Sequence, residues 1–469
     1  MINDLLIVVL LIFTSSTYYY HARNILLGWR DNDGLFHLSC AKEINRKKGL
    51  PKLHDHFFPG ENVPYTYPPM LHYLLSLFVD RLPERLLLLW SIITTFLLAL
   101  TVFLVCRLLS YSNEASLISA LVFLIIPSNI KGAISITPRQ LGLFFFFLTF
   151  VFAQIAINSG SFLFFCLSTT CLTGILLTHR MGAQLALICS ITYLFFNVIN
   201  NLLIVLWVTT GWLTAFLLAI VLSKGQYFSV FRDHLARLKF HFLHGPQTGD
   251  KKQLGSLLDI VTQNPFSIYI FVIIAKSGFS IIMQNHLFWT TAACTILVSI
   301  LWIWGSGSRH IIFLGPFTPI LLLELGAYDN RLFFYLFCFF SIFLCIYFVR
   351  SQYGKNLLPS DNIKFYEQIK KESDSTIVAV IPQVSSPAFV YFTGKRIFAH
   401  PHDAGAMEFN RLSFRYRLSD MAYITKLISD NHVDALLVDK NFNTSALVRA
   451  LNFKLRLENI KWKYYEKND

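Results

Sequence analysis

GWRDNDGLFHLSCAKEINRKKGLPKLHDHFFPGENVPYTYPPMLHYLL, residues 28–75, is the densest polar stretch of the chain, and it follows directly on an apolar opening, MINDLLIVVLLIFTSSTYYY, residues 1–20. A long apolar segment, then acid, histidine, tyrosine and proline, then a return to apolar sequence reads as a membrane helix followed by a chemically equipped loop. Carboxylates close to a membrane boundary are costly unless solvated or paired, and they often mark function. Asp31 and Asp33 stand at that boundary. Asp33 and His37 are four residues apart, which puts both on one face if the segment is helical.

The rest of the chain agrees. Of its 469 residues, 54% are hydrophobic and only 14% charged, with a mean hydropathy of +0.52. A soluble protein carries about 25% charged residues. Apolar runs of roughly 18 residues or more are long enough to cross a bilayer, and such runs predict eleven helices near 3–20, 86–109, 114–127, 139–157, 161–178, 182–198, 202–222, 265–282, 287–304, 310–325 and 332–349. The opening lacks a basic n-region and a small-residue cleavage site, so it reads as a retained first helix. The basic residues behind the net charge of +13 are scattered beside apolar runs. They suit anionic headgroups or phosphate-bearing lipids rather than nucleic acid. All eight cysteines but Cys40 lie in apolar segments, without a disulfide or zinc spacing.

Three polar regions interrupt the helices and divide the chain into a transmembrane domain, 1–349, and a small soluble α/β domain, 350–469. The first is the loop 21–85. The second, 223–264, contains FRDHLARLKFHFLHG, whose apolar residues recur at helical spacing between basic ones. That suits a helix lying in the membrane interface, or equally a soluble helix packed on its own protein. The third is the tail. NIKFYEQIKKESD reads as a helix, STIVAVIP as a buried strand, KRIFAH as a short strand, SDMAYITKLISDNH as a helix and VDALLVD as a strand. Strands alternating with helices indicate a mainly parallel sheet. No glycine-rich phosphate loop precedes its helices. Eleven crossings put the first loop and the tail on the same side, expected to be extracytoplasmic. Lys/Arg bias in the short loops does not settle the orientation.

The loop supplies what transfer from a phosphate leaving group to a hydroxyl needs: a carboxylate as general base or metal ligand and cationic donors for the phosphate. Asp55 sits between His54 and His56, and TYPPMLH brings Tyr67, Pro68, Pro69 and His72 to the start of a short helix. Elsewhere Lys131 and Arg139 flank the loop ahead of the fourth helix, His179 and Arg180 sit at one helix end, and Arg309 and His310 sit at another. Arginine suits a phosphate clamp through bidentate pairing. The plain alternatives stay open: Asp31 and Asp33 as helix caps in a solvated loop, and the arginines as groups snorkelling to lipid headgroups.

An apolar first helix, the acidic Asp31 and Asp33, then His37, a Gly49-x-Pro51 turn and Tyr67-Pro68-Pro69 before the second membrane helix resemble the GT-C superfamily of membrane glycosyltransferases. The likeness is to the PMT/ArnT-like and RgtA/B/C/D-like branches and, more distantly, to the catalytic subunit of oligosaccharyltransferase. It covers the architecture of most of the chain, while its sharp motifs occupy only the first loop. It implies a multi-pass enzyme of the cell membrane, or of the ER membrane in a eukaryote, that takes a polyprenyl-phosphate-linked sugar donor and a glycan, lipid or protein acceptor. Asp33 would be the catalytic residue, with Asp31 assisting. His37, Asp55, Tyr67, His72, Arg139, His179, Arg180, Arg309 and His310 would bind substrate. Asp31 and Asp33 would hold Mg2+ or Mn2+ if a metal is used, which many members of the superfamily do not need. The tail lacks a WWDYG-type motif, which argues against transfer of oligosaccharide to a sequon asparagine. A lipid or small-solute transporter and an inactive scaffold of the same fold are the competing classes. Neither internal repeats nor matched broken helices favour the transporter.

Overall fold

A computed structural model describes residues 2–26, 32–51, 65–197, 202–244, 257–277, 286–301, 307–327, 331–353, 360–382, 386–398 and 421–467. The chain divides into two compact units. One comprises Met1–Leu27, Leu88–Ser223 and Asp250–Lys355; the other comprises Gly28–Leu87, Lys224–Gly249 and Asn356–Asp469.

The regular structure described in the first unit is all helix, from α1 (Ile2–Leu26) to the helix Arg331–Tyr353. Each of the eleven predicted apolar segments carries helix. Among the described residues, however, only five helices are long and apolar enough to span a bilayer alone: Asp4–Leu26, Glu84–Leu108, Pro138–Ser159, Leu202–Leu222 and Leu332–Ser351. The bent pair Asn113–Ile125 and Pro127–Ala133 would make a sixth if it forms one span. The chain is an integral membrane protein.

One break is informative. Asn113–Ile125 and Pro127–Ala133 meet at a 66° bend, because Pro127 has no N–H to continue the helix. In a bilayer the carbonyls freed by such a bend must find donors inside the protein. They do. The Leu124 carbonyl accepts from the Tyr18 hydroxyl at 3.3 Å, and Ile125 accepts from Ser341 Oγ at 2.7 Å and Cys345 Sγ at 3.0 Å. Asn129 Nδ2 donates to Phe123 at 2.7 Å. At the far end of the short helix, His21 Nε2 and Ser91 Oγ both donate to the Ala133 carbonyl at 2.8 Å. The phenylalanine run at 144–147 packs inward, with Phe146 against Phe313 at 5.0 Å and Phe147 against Phe317 at 5.1 Å between ring centroids.

The second unit joins three separated segments around a five-stranded sheet of order β2-β1-β3-β5-β4. β1 (Ile377–Ile381), β2 (Arg396–Phe398) and β3 (Ala435–Asp439) are the strands expected from the sequence, and they pair in parallel. β4 (Phe453–Glu458) and β5 (Trp462–Lys467) add an antiparallel ribbon that the sequence reading had not placed. The sheet is therefore mixed. The helices Ser360–Glu372 and Ser386–Thr393 pack together, and Tyr366 meets Phe389 edge-on at 5.7 Å.

The first loop belongs to this core. Leu35, Phe36 and Cys40 of α2 (Asn32–Lys47), together with Tyr65, are buried in one cluster with Phe365, Ile369, Val380 and Phe389. Lys42 Nζ lies 3.7 Å from the centroid of the Tyr391 ring. The helix of the second polar region, Gln226–His244, is also part of the unit, and Gln226 Nε2 donates to the carbonyls of Pro51 at 3.0 Å and Tyr65 at 3.1 Å.

Leu35 is 1% exposed in that shared core. Leu35→Ala is expected to cost about 2–5 kcal/mol, seen as a lower Tm together with faster proteolysis of the C-terminal α/β segment. Unchanged proteolysis there would show that α2 does not share its core.

Candidate functional site

Helix α2 begins where the acid lies. Asp33 occupies its first turn and Arg46 and Lys47 its last, the arrangement that the helix macrodipole favours. The helix stops in a Schellman motif: Gly49 N–H donates to Ile44 and Lys48 N–H to Asn45, both at 3.1 Å, with Lys48 at φ +50°. Leu35, Phe36 and Cys40 fix one face in the core. Asp33 is half-buried at the helix start, and His37, one turn on, is 3% exposed.

The short helix α3 (Met70–Ser76) follows Pro68 and Pro69 and delivers His72, which is fully buried. His37 Nδ1 lies 2.7 Å from His72 Nε2, and His72 Nδ1 is hydrogen-bonded to the Tyr65 hydroxyl. Tyr67 completes the cage, with ring centroids 5.5 Å from His37 and 5.2 Å from His72. Burial pushes the Tyr65 phenol well above its usual range, and the neighbouring Cys40 thiol and Glu43 carboxylate push it further. Burial likewise raises the Cys40 thiol. Both groups keep their protons at neutral pH.

Thus the structure brings His37, Tyr67 and His72 together at the base of the turn that carries Asp33. It adds Tyr65, which the sequence reading had passed over. The signal was present: alternate residues of an extended Tyr-Thr-Tyr share a face, so Tyr65 goes with Tyr67. Asp31 and Asp55 lie outside the described residues.

The cationic candidates belong to the other unit, where the helices that carry them pack against one another. His179 separates the helices Phe162–Thr178 and Arg180–Asn197, and its Nδ1 accepts from the Gly182 N–H at 3.1 Å. Its ring stands 5.6 Å from that of Phe313. Phe313 lies in the 3-10 helix Gly307–Leu314, where residues three apart share a face. That places His310, 1% exposed, on the side of His179. Arg139 starts the helix Pro138–Ser159, and Gly142, one turn later, lies against His179. Arg139 and Arg180 are both half-buried. The backbone of Arg309 falls in the same 3-10 helix; its side chain lies outside the described residues.

Among the described residues no group of three or more His, Cys, Asp or Glu is placed to hold a metal ion; Asp31, expected to share one with Asp33, lies outside them.

No protein-family model and no curated protein matches the chain. Solved structures do. The apo oligosaccharyltransferase of Archaeoglobus fulgidus superposes with a TM-score of 0.65 at 12% identity, covering 93% of this chain and 69% of that one. ArnT from Cupriavidus metallidurans in the apo state gives 0.62 at 11% identity over 97% of both chains. The same ArnT bound to undecaprenyl phosphate gives 0.59 at 12% identity, again over 97% of both. The fold is that of the GT-C glycosyltransferases, as the first loop suggested.

A Cβ added at Gly142 would sit 2.6 Å from His179 Cβ. Gly142→Ala is therefore expected to displace His179 and to cost about 1–3 kcal/mol, measurable by thermal unfolding in detergent. An unchanged Tm would show that the two helices can part without loss.

Proposed function

We propose that this protein is a glycosyltransferase that moves a hexosyl or pentosyl group from a polyprenyl-phosphate-linked donor to an acceptor hydroxyl of a glycan, lipid or protein. The reaction takes place at the extracytoplasmic face, the chain crosses the membrane up to eleven times, and its C-terminal domain is extracytoplasmic. The observation that carries this reading is end-to-end likeness in fold to ArnT, joined to an acid at the start of a helix anchored in a rigid core. An oligosaccharyltransferase of related fold has been solved with an inhibitory peptide and a dolichol-phosphate, which supports a lipid-phosphate donor.

In the proposed reaction Asp33 takes the proton of the acceptor hydroxyl as its oxygen attacks the anomeric carbon. The bond from that carbon to the phosphate oxygen breaks, and polyprenyl phosphate leaves with the electron pair. Attack opposite the leaving group inverts the anomeric centre. Arg139, Arg180 and Arg309, with His179 and His310, bind the phosphate, whose charge grows as the bond breaks. Asp31 assists Asp33, while His37, Asp55, Tyr67 and His72 line the acceptor side.

Asp33→Asn is expected to lower transfer from a radiolabelled undecaprenyl-phosphate hexose by about 10²–10⁴-fold. Full activity in this variant would remove Asp33 as the base. Arg180→Ala should chiefly raise the KM for the lipid donor, whereas an unchanged KM would return it to the role of a headgroup anchor.

A further inference from the structure

A polar cavity of about 330 Å3 opens at the end of α2 opposite to Asp33, about 18 Å away along the helix axis. Asn45 and Lys48 line one wall, and Tyr73, Leu77, Asp80 and Arg81 line the other. The proposed transfer makes no use of it. Its position is set by the sequence that follows. Arg81 comes three residues before Glu84, where the membrane span Glu84–Leu108 begins. Tyr73, Leu77, Leu82 and Leu86 are each at least 41% exposed. In a membrane protein an exposed apolar row leading into a span lies in lipid, with tyrosine and arginine at headgroup level. Helical backbone bonds run through the stretch, from Leu77 N–H to Leu74, Val79 N–H to Leu75 and Leu82 N–H to Phe78. Tyr73, Leu77 and Arg81, four residues apart, therefore follow one face. That face is at once a wall of the cavity and part of the lipid-facing row, so the cavity opens into the headgroup layer.

The charges that line it are not matched. Lys48 and Arg81 are exposed, and their side chains form no hydrogen bond or ion pair with the described residues. Lys48 holds φ +50°, a backbone position that glycine adopts without strain. A side chain kept there at some cost points to a use for its ammonium group. Asp80 is the acid of the cavity, and it is already engaged: Asn45 Nδ2 donates to its Oδ2. Its other oxygen is left to accept. Two cations and one tied carboxylate make a site for an anion that also carries hydroxyl donors.

We propose that this cavity binds the headgroup of a phosphatidylglycerol of the surrounding bilayer, with the phosphate between Lys48 and Arg81 and the glycerol hydroxyls donating to Asp80. Arg81 offers paired N–H donors to the phosphate oxygens and Lys48 a point charge. The acyl chains then continue over Leu77 and Leu82. Small-molecule sites run from roughly 300 to 1,000 Å3, and this one lies at the small end, which suits a headgroup rather than a long glycan. A choline headgroup brings a cation toward Lys48 and Arg81 and no hydroxyl for Asp80. Polyprenyl phosphate shares the phosphate but also lacks the hydroxyls. The inference does not use the transfer reaction, so either stands if the other fails.

The test titrates the full chain in detergent with palmitoyl-oleoyl phosphatidylglycerol or phosphatidylcholine and counts bound lipids by native mass spectrometry. The native protein should take up a first phosphatidylglycerol about tenfold more tightly than phosphatidylcholine. Lys48→Gln with Arg81→Gln should weaken that first lipid about ten- to thirtyfold, the worth of two cations at a membrane surface. Arg85→Gln removes an exposed cation of the same stretch that does not line the cavity, and should leave the affinity within about twofold. Equal binding of the two lipids, an undiminished first lipid in the double variant, or an equal loss in Arg85→Gln overturns the site. Undecaprenyl phosphate is added as competitor. Phosphatidylglycerol should stay bound, and its displacement at equal concentration would assign the cavity to a polyprenyl phosphate and overturn the proposal. Should the double variant fail to fold, Arg81→Gln is compared with Arg81→Lys, which keeps the charge. The lysine variant should bind more tightly, and equality of the two overturns the site.

Discussion

Burial of Leu35, Phe36 and Cys40 against the α/β core fixes helix α2 in rotation and in register, and the placement of Asp33 and His37 follows from it. A lone carboxylate on a loop samples many positions. On a helix whose apolar face is interlocked with a close-packed interior, a shift of even one methylene is felt. The polar start of α2 is therefore held by apolar contacts at some distance from it. Tyr65 belongs to both systems: its ring sits in the core cluster and its hydroxyl in the histidine chain. The acidic end of the site and the hydrophobic core are one mechanical object.

The helical unit meets a different constraint. Its bend at Pro127 and the end of the short helix that follows expose carbonyls that water cannot reach, and the answer is a set of donors from three other helices: Tyr18 and His21 from α1, Ser91 from the helix Trp90–Leu108, and Ser341 and Cys345 from Arg331–Tyr353. Irregular backbone is tolerated at membrane depth only where protein satisfies it, so the bend is a built element. Gln140 ties it to the next helix by donating to Thr95 at 3.0 Å and to the Asn129 carbonyl at 3.2 Å. That next helix carries Arg139 in its first turn. The helix start that bears Arg139 is thus tied to the same polar network that heals the bend.

What the sequence disclosed tracks how local the responsible physics is. Helix existence follows from runs of apolar residues, and each expected segment carries helix. Strands β1, β2 and β3 were legible from their apolar, β-branched runs. FKLRLE and WKYYEK were missed because half of each ribbon strand is charged or polar, so only a period-two alternation marks them. The His37–His72 pair was out of reach, since nothing in the spacing of two histidines 35 positions apart says that their rings meet. Both had been singled out for the company they keep, with Asp33 and with Tyr67-Pro68-Pro69. The bend network was missed although Pro127, inside an otherwise helical apolar run, announced the break. Its donors come from far along the chain.

That distance has a consequence for assembly. Segments 28–87, 224–249 and 356–469 build one unit, and the sheet that receives α2 lies at the opposite end of the sequence. Closing so long a loop costs little more than closing a moderate one, because the entropy grows only with the logarithm of length. Thermodynamics therefore permits the intervening membrane helices. Kinetics imposes an order, since α2 has no core to join until the last segment exists, and an amphipathic helix of 16 residues is marginal in water by itself. Before that moment nothing holds Asp33 in register with the imidazoles. The acidic site is then a product of the completed chain rather than of the loop that contains its residues.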